Sequence, residues 1–202
     1  MESDWVEKAN NQLTGALEQF KNTISLEGWK TSHKKGMKVF KLHKENLDCA
    51  KSEMEFDCSA EVAFNKLSDP SLRERWTSNV RQVQVKQEIE NMKMLYILLK
   101  HTWGMSNREM LIAQKTQRSE EGTYYIIEKS LKDEEFYQND TKNVKAEMNL
   151  SGFEIKPSGE GKCKVIYLVD YNPRGKMPGF YKRKTQSSIA KQLLTLSKTI
   201  CS

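Results

Sequence analysis

The 202-residue sequence has no apolar run near the ~18 residues needed to cross a bilayer. Its opening stretch, MESDWVEKANNQ, lacks the apolar centre of a secretory signal. Both absences lead to the expectation of a cytoplasmic protein. Histidine is scarce: His33, His43 and His101 stand among charged neighbours or on a loop, none at metal spacing from a cysteine, so no metal is expected. The four cysteines (Cys49, Cys58, Cys163, Cys201) are scattered without a CxxC, which predicts unpaired thiols in a reducing compartment. No GxSxG, HExxH, P-loop or GxGxxG occurs, and no cofactor is implied. A carboxylate pair is the catalytic arrangement left open, and the expected site is one that binds without transforming.

What the chain does have is charge of both signs. Its 33 basic and 27 acidic side chains leave a net +6, read as mixed along the chain and too mild for a nucleic-acid binder. Basic residues gather late, at Arg174, Lys176, Lys182, Arg183 and Lys184. Such a cluster fits an anionic lipid surface or a plain solvated helix face. The length suits one medium domain, residues 1–202, able to bury about 70% of its extended surface.

Apolar periodicity organises the chain around its last stretch, residues 176–200. Pro178 suits the first turn of a helix, and Met177, Phe180, Tyr181, Ile189, Leu193, Leu196 and Ile200 follow at helical steps. Residues 3–24 also read as one helix, with Trp5, Ala9, Leu13, Ala16, Leu17, Phe20 and Ile24 on a single face. Between them most segments alternate as strands. A hairpin is expected at Lys35-Gly36, a strand over 51–58, and short helices capped by Ser59 (Val62, Ala63 and Leu67 inward) and by Asp69-Pro70. Further strands are expected over 80–89 (Val83, Val85, Ile89), 92–100, 108–118, 123–130, 144–155 and 163–171. Residues 92–100 are apolar on both faces, as in a strand covered on both sides. The apolar phase of 144–155 switches near Gly152, as at a β-bulge. The architecture this suggests is a curved antiparallel sheet around the last helix with a pocket between them, an ordinary core-packing helix being the alternative.

At Asp69-Pro-Ser-Leu-Arg-Glu-Arg-Trp76 and Ser106-Asn-Arg-Glu109 the chain resembles the StAR-related lipid-transfer (START) domains. The likeness continues through Leu150-Ser-Gly-Phe-Glu-Ile-Lys-Pro157, Tyr167-Leu-Val-Asp-Tyr-Asn-Pro-Arg-Gly175 and Met177-Pro178, and so spans the whole chain. It implies an α+β helix-grip fold: a nine-stranded antiparallel sheet gripping the C-terminal helix around a lipid tunnel, with that helix and the 100–108 loop as a lid.

The resemblance also implies which residues bind. Arg73 matches a cavity arginine of ceramide-transfer relatives, whose neighbouring acid falls on Thr77. Ile97 stands where relatives carry a polar headgroup contact, and Gln114 where some carry arginine. Inward positions then become Met110, Ile112, Tyr124, Ile126, Glu128, Met148, Leu150, Val165, Tyr167 and Val169, with Phe180, Ile189 and Leu193 from the last helix. Arg73 and Glu128 are expected to pair with each other or with a zwitterionic headgroup, or else to face solvent. Trp103 and Met105, with Arg174, Lys176, Lys182, Arg183 and Lys184, are the expected membrane contacts, Trp103 being alternatively a buried wedge. The expected partner is one lipid, a phospholipid or other acyl lipid ahead of a sterol or ceramide, carried by a monomer that touches membranes transiently and binds no nucleic acid. A helix-grip enzyme such as a hydrolase or cyclase, with Glu128 as its acid, and a lipid-gated sensor are the competing readings.

Overall fold

Period-two alternation dominates the middle of the chain, and there the computed structural model forms one antiparallel sheet. It describes residues 2–34, 37–44, 47–77, 79–100, 106–132, 137, 142–175 and 192–201. Two helices come first, α1 (Glu2–Leu13) and α2 (Ala16–Ile24). The single helix expected over 3–24 is divided because Gly15 takes φ +69°, a left-handed conformation that glycine adopts without steric cost. The apolar stripe survives the break: Trp5, Ala9, Leu13, Ala16 and Phe20 are all buried.

Strands β1 (Lys30–Lys34), β2 (Met37–Lys44) and β3 (Leu47–Phe56) follow, then α3 (Ala60–Leu67), a 3-10 turn (Pro70–Leu72) and α4 (Arg73–Trp76). The Ser59 side chain accepts the Val62 amide (3.2 Å) and Asp69 accepts the Ser71 amide (2.8 Å), so both capping expectations hold. Val62 itself is exposed, and the buried face of α3 is Ala60, Ala63 and Leu67. Seven strands complete the sheet: β4 (Val80–Ile89), β5 (Met92–Leu99), β6 (Arg108–Arg118), β7 (Tyr124–Ser130), β8 (Val144–Lys145), β9 (Glu147–Gly159) and β10 (Lys162–Asn172). The order is β1-β2-β3-β10-β9-β7-β6-β5-β4, with the two-residue β8 pairing beside β6. Val85 and Ile89 were expected inward but are exposed. They lie on β4, an edge strand whose register shifts twice, so covering elements and regular alternation both run out there. The last helix, α5, is described over 192–200.

The sheet is buried on both faces. Under α1 and α2 lie Met92, Met94 and Tyr96 of β5 with Leu111 and Ala113 of β6. On the opposite, inner face Leu95, Ile97 and Leu99 join Met110 and Ile112, and α3 and α5 pack against them through Ala63, Leu67, Leu193, Leu196 and Ile200. Strand β9 changes phase at Asn149, where the register to β10 slips, and not at Gly152. Met148 therefore faces inward while Leu150 lies under the N-terminal helices, which corrects its expected place among the inward residues. Gly152 serves close approach: a Cβ there would sit 2.6 Å from the Ile126 carbonyl oxygen and 3.0 Å from the Phe20 ring.

The expectation of four unpaired thiols is also corrected. Cys58 and Cys201 form a disulfide across 143 residues of sequence, while Cys49 and Cys163 are free and buried. The pairing is not legible from sequence, since it depends on where α5 comes to rest, and the cysteine argument for a reducing compartment lapses with it. The bond pins the end of α5 to the turn between β3 and α3, where Lys66 also donates to the Ile200 carbonyl (2.6 Å). Cys201→Ser should lower stability by about 2–4 kcal/mol in chemical denaturation, and reductant should lower wild type equally. An unchanged midpoint in both would show that the link carries no stability.

Candidate functional site

Among the described residues the inner face leaves a cavity. Between β5, β6, β7, β9, β10 and Gln192 of α5 lies about 600 Å³ of atom-free space, a figure that includes open solvent. Its walls are apolar where strands alternate inward: Ile97 and Leu99 from β5, Met110 from β6, Met148 from β9 and Val169 from β10. Its polar end is built by Arg73, Thr77, Glu128 and Tyr167.

Arg73 stands at the first position of α4, set by the capped Asp69-Pro70 turn before it. Glu128 reaches it from β7, and the Arg73 Nη2 donates to Glu128 Oε1. Both residues are almost fully buried, at 6% and 2% exposure. Gln114, opposite Glu128 in the β6–β7 register, adds a second donor to the same oxygen (2.9 Å). Two charges inside an apolar cavity thus cancel locally, as burial of ions requires. Thr77 is buried, and its hydroxyl oxygen has no hydrogen-bond partner among the described residues. Burial pushes the Tyr167 hydroxyl far above its ordinary range, the Glu128 carboxylate adds to this and Arg73 opposes it. Tyr167 is therefore a neutral hydroxyl, stacked on Phe153 at 4.3 Å.

Of the expected ligand residues, Arg73, Ile97, Met110, Glu128, Met148 and Tyr167 meet around this cavity. Ile112, Ile126 and Leu193 share the inner core behind it, Tyr124 stacks on Phe64 of α3 (4.7 Å), and Gln114 touches the site only through Glu128. Leu150 is on the other face of the sheet. Phe180, Ile189, Trp103, Met105, Lys176, Lys182, Arg183 and Lys184 lie outside the described residues. Arg174 is described and has an ion-pair partner, Glu147, at 2.6 Å. The lining residues Asn79, Val80, Leu99, Tyr171 and Gln192 were missed. Leu99 and Tyr171 continue the alternation of Ile97 and Val169 and could have been read from it. Asn79 carried no such signal.

The Ser106–Glu109 stretch holds the cavity's surroundings. Buried Arg108 donates to the carbonyls of Ser106, Pro173 (3.2 Å) and Arg174 (3.2 Å), fixing the chain where it leaves β10. Glu109 accepts from the Tyr96 hydroxyl (2.8 Å) and Asn143 (3.2 Å) on the outer face. Among the described residues no group of histidine, cysteine and carboxylate side chains could hold a metal, and no helix is long and apolar enough to cross a membrane.

The sequence pattern of the family described as START domain matches residues 14–200. Among solved structures, human StAR-related lipid transfer protein 5 superposes with a TM-score of 0.84 at 15% identity, over 96% of this chain and 97% of that one. Human STARD10 gives 0.79 at 24% identity over 90% and 76%. A STAR-related lipid transfer protein fragment from Xanthomonas axonopodis gives 0.75 at 16% identity over 87% and 100%. At such identities these likenesses show a shared helix-grip fold. No curated protein matches the sequence.

Two predictions come from this geometry. Arg73→Met strands the Glu128 carboxylate and should cost about 3–5 kcal/mol in urea denaturation, while Arg73→Met with Glu128→Met should recover most of that loss. A single variant as stable as wild type would show that the pair is not closed in solution. Alkaline pH should also destabilise the fold. Burial raises the Cys163 thiol from 9.0 to about 11, and burial with Glu154 raises the Tyr125 hydroxyl from 10.0 to about 12. Tyr96 and Tyr171 are raised by burial too. Groups with raised folded pKa values stabilise fully below their unfolded values, so stability should hold to about pH 9 and fall from there through about pH 12. Lys51, lowered by burial, works in the opposite direction. A denaturation midpoint that stays level between about pH 8 and about pH 11 would contradict this.

Proposed function

Because the chain belongs to the START domain family, whose fold binds and transfers lipid, we propose that it takes one lipid into the inner cavity and carries it between membranes unchanged. The observation that supports this most is the buried Arg73–Glu128 pair at the head of an otherwise apolar cavity. A zwitterionic phospholipid suits it charge for charge: the phosphate takes Arg73, the cationic amine takes Glu128, and neither buried ion is left alone. Acyl chains then lie against Ile97, Leu99, Met110 and Met148, each buried methylene contributing about 0.8 kcal/mol to retention. A two-chain lipid needs more room than the cavity shows, so it enters as α5 gives way at the end remote from its Cys201 anchor. Contact with the bilayer through the 101–105 loop and the basic residues near 174–184 belongs to this reading, as does a monomeric, cytoplasmic carrier. No chemical step is proposed: Glu128 already accepts from an arginine and a glutamine.

Native mass spectrometry of the gently purified protein tests it. Wild type should carry one lipid mass per chain, and exposure to mixed vesicles should load a phosphatidylcholine-type lipid. The double variant Arg73→Met with Glu128→Met should remain folded yet lose zwitterionic phospholipid at least tenfold relative to neutral lipid, since two charge-assisted contacts are gone. Wild type that stays empty after exposure defeats the carrier reading. Unchanged headgroup preference in the double variant defeats the charge-exchange part alone.

A further inference from the structure

Positive charge without a balancing acid gathers in two stretches of the chain, residues 171–202 and one hairpin. In the hairpin, residues 30–44 contain Lys30, Lys34, Lys35, Lys38, Lys41 and Lys44 and no acidic residue. The mixing of charge expected from the overall composition fails in both. The segment forms β1 and β2, at one end of the sheet, where β1 has a single neighbour. Its register sets Lys30 opposite Lys41 and His33 opposite Lys38. Like charges directly opposite one another destabilise an antiparallel pair, so the arrangement works against the fold.

Edge lysines discourage unwanted strand pairing, and that accounts for some positive charge on an edge. It does not account for six lysines of one sign, because the other edge, β4, mixes Arg81 and Lys86 with Glu88. Nor are the charges of the three lysines with described side chains neutralised. Lys30 and Lys38 are exposed, Lys41 is half-buried, and none of the three has an ion pair among the described residues. The neighbouring Lys51 and Lys164, by contrast, both pair with Glu53 (3.5 and 3.2 Å). Leu26, at the foot of the hairpin, is 40% exposed.

We infer that the β1–β2 hairpin is an electrostatic docking surface for an anionic membrane leaflet, holding the domain at the bilayer while lipid is exchanged. The choice of occupant rests on the carrier reading above, which brings this chain to bilayers in any case. The chemistry favours it over nucleic acid: the nearby rings of Trp29 and Phe40 are covered by the Lys51 ammonium (4.8 and 4.5 Å), which leaves no open aromatic platform for bases. Charge on both faces of an edge hairpin, Lys30 and Lys41 on one and Lys38 on the other, suits a diffuse anionic sheet of headgroups, where each lysine strengthens binding about fivefold.

Flotation of the full chain with phosphatidylcholine vesicles, with and without about a third phosphatidylserine, tests the inference. Wild type should bind only the phosphatidylserine vesicles and be released by high salt. The variant K30Q/K38Q/K41Q should lose about a hundredfold in affinity, with a melting temperature equal to or above wild type because the Lys30–Lys41 repulsion is relieved. K30R/K38R/K41R keeps the charge and should bind as wild type does. Equal binding by the glutamine variant overturns the inference, as does wild type that ignores phosphatidylserine. Tighter binding of a single-stranded RNA than of those vesicles overturns it in favour of a nucleic-acid surface. Lysine-dependent flotation by a protein whose cavity stays empty in native mass spectrometry upholds the docking surface and removes the carrier reading.

Discussion

A sheet that is apolar on both faces cannot leave either to water, and this constraint shapes the molecule. Strands β5 and β6 alternate two sets of hydrophobic side chains, one for each side. The outer set is closed by α1 and α2, which come near enough for Phe20 to lie where a side chain at Gly152 would stand. The inner set meets Ala63 and Leu67 of α3 and Leu193, Leu196 and Ile200 of α5. Beside these contacts the described residues leave a cavity lined by methionine, isoleucine and leucine side chains, where an interior normally packs to crystal-like density.

The ion pair at its head sets two opposite charges at one end of that gap. Burying one charge there would be prohibitive, whereas burying two of opposite sign is tolerable when their hydrogen bonds are met. Arg73 comes from a short helix and Glu128 from the middle of a strand, so the pair also ties α4 to the sheet. Around it the Ser106–Glu109 stretch works as a structural clamp. Arg108 holds the exit of β10, and Glu109 holds Tyr96 on the opposite face. A motif that signals the family is here a set of backbone and side-chain ties, with the binding surface built from other residues.

Cargo site and charged hairpin occupy different parts of the sheet. The cavity lies against its β4–β7 side with β9 and β10, while the lysines sit beyond β3 at the far edge. Cys58–Cys201 joins the two regions through α5, whose end is fixed beside β3. The helix beside the cavity is therefore anchored near the surface proposed to meet the membrane.

Much of this was legible in the linear chain because it depends on local period and local chemistry. Two-sided apolarity in 92–100 announced a doubly covered strand, and Ser59 and Asp69 announced helix starts, whereas the inward places of Arg73 and Glu128 came from the resemblance to START domains. What failed were inferences that local pattern does not contain. Val62 and Val85 are apolar on good periods yet exposed, since burial requires a neighbour and none arrives. Leu150 faces outward because a one-residue slip at Asn149 inverts every later side chain. The sequence by itself determined the elements, their caps and the apolar faces, for these follow from steric and solvation preferences within a few residues. Only the tertiary structure decided that Cys58 meets Cys201, that Glu128 meets Arg73, and which face of the sheet bears the cavity, because each is a distance between groups far apart in the chain.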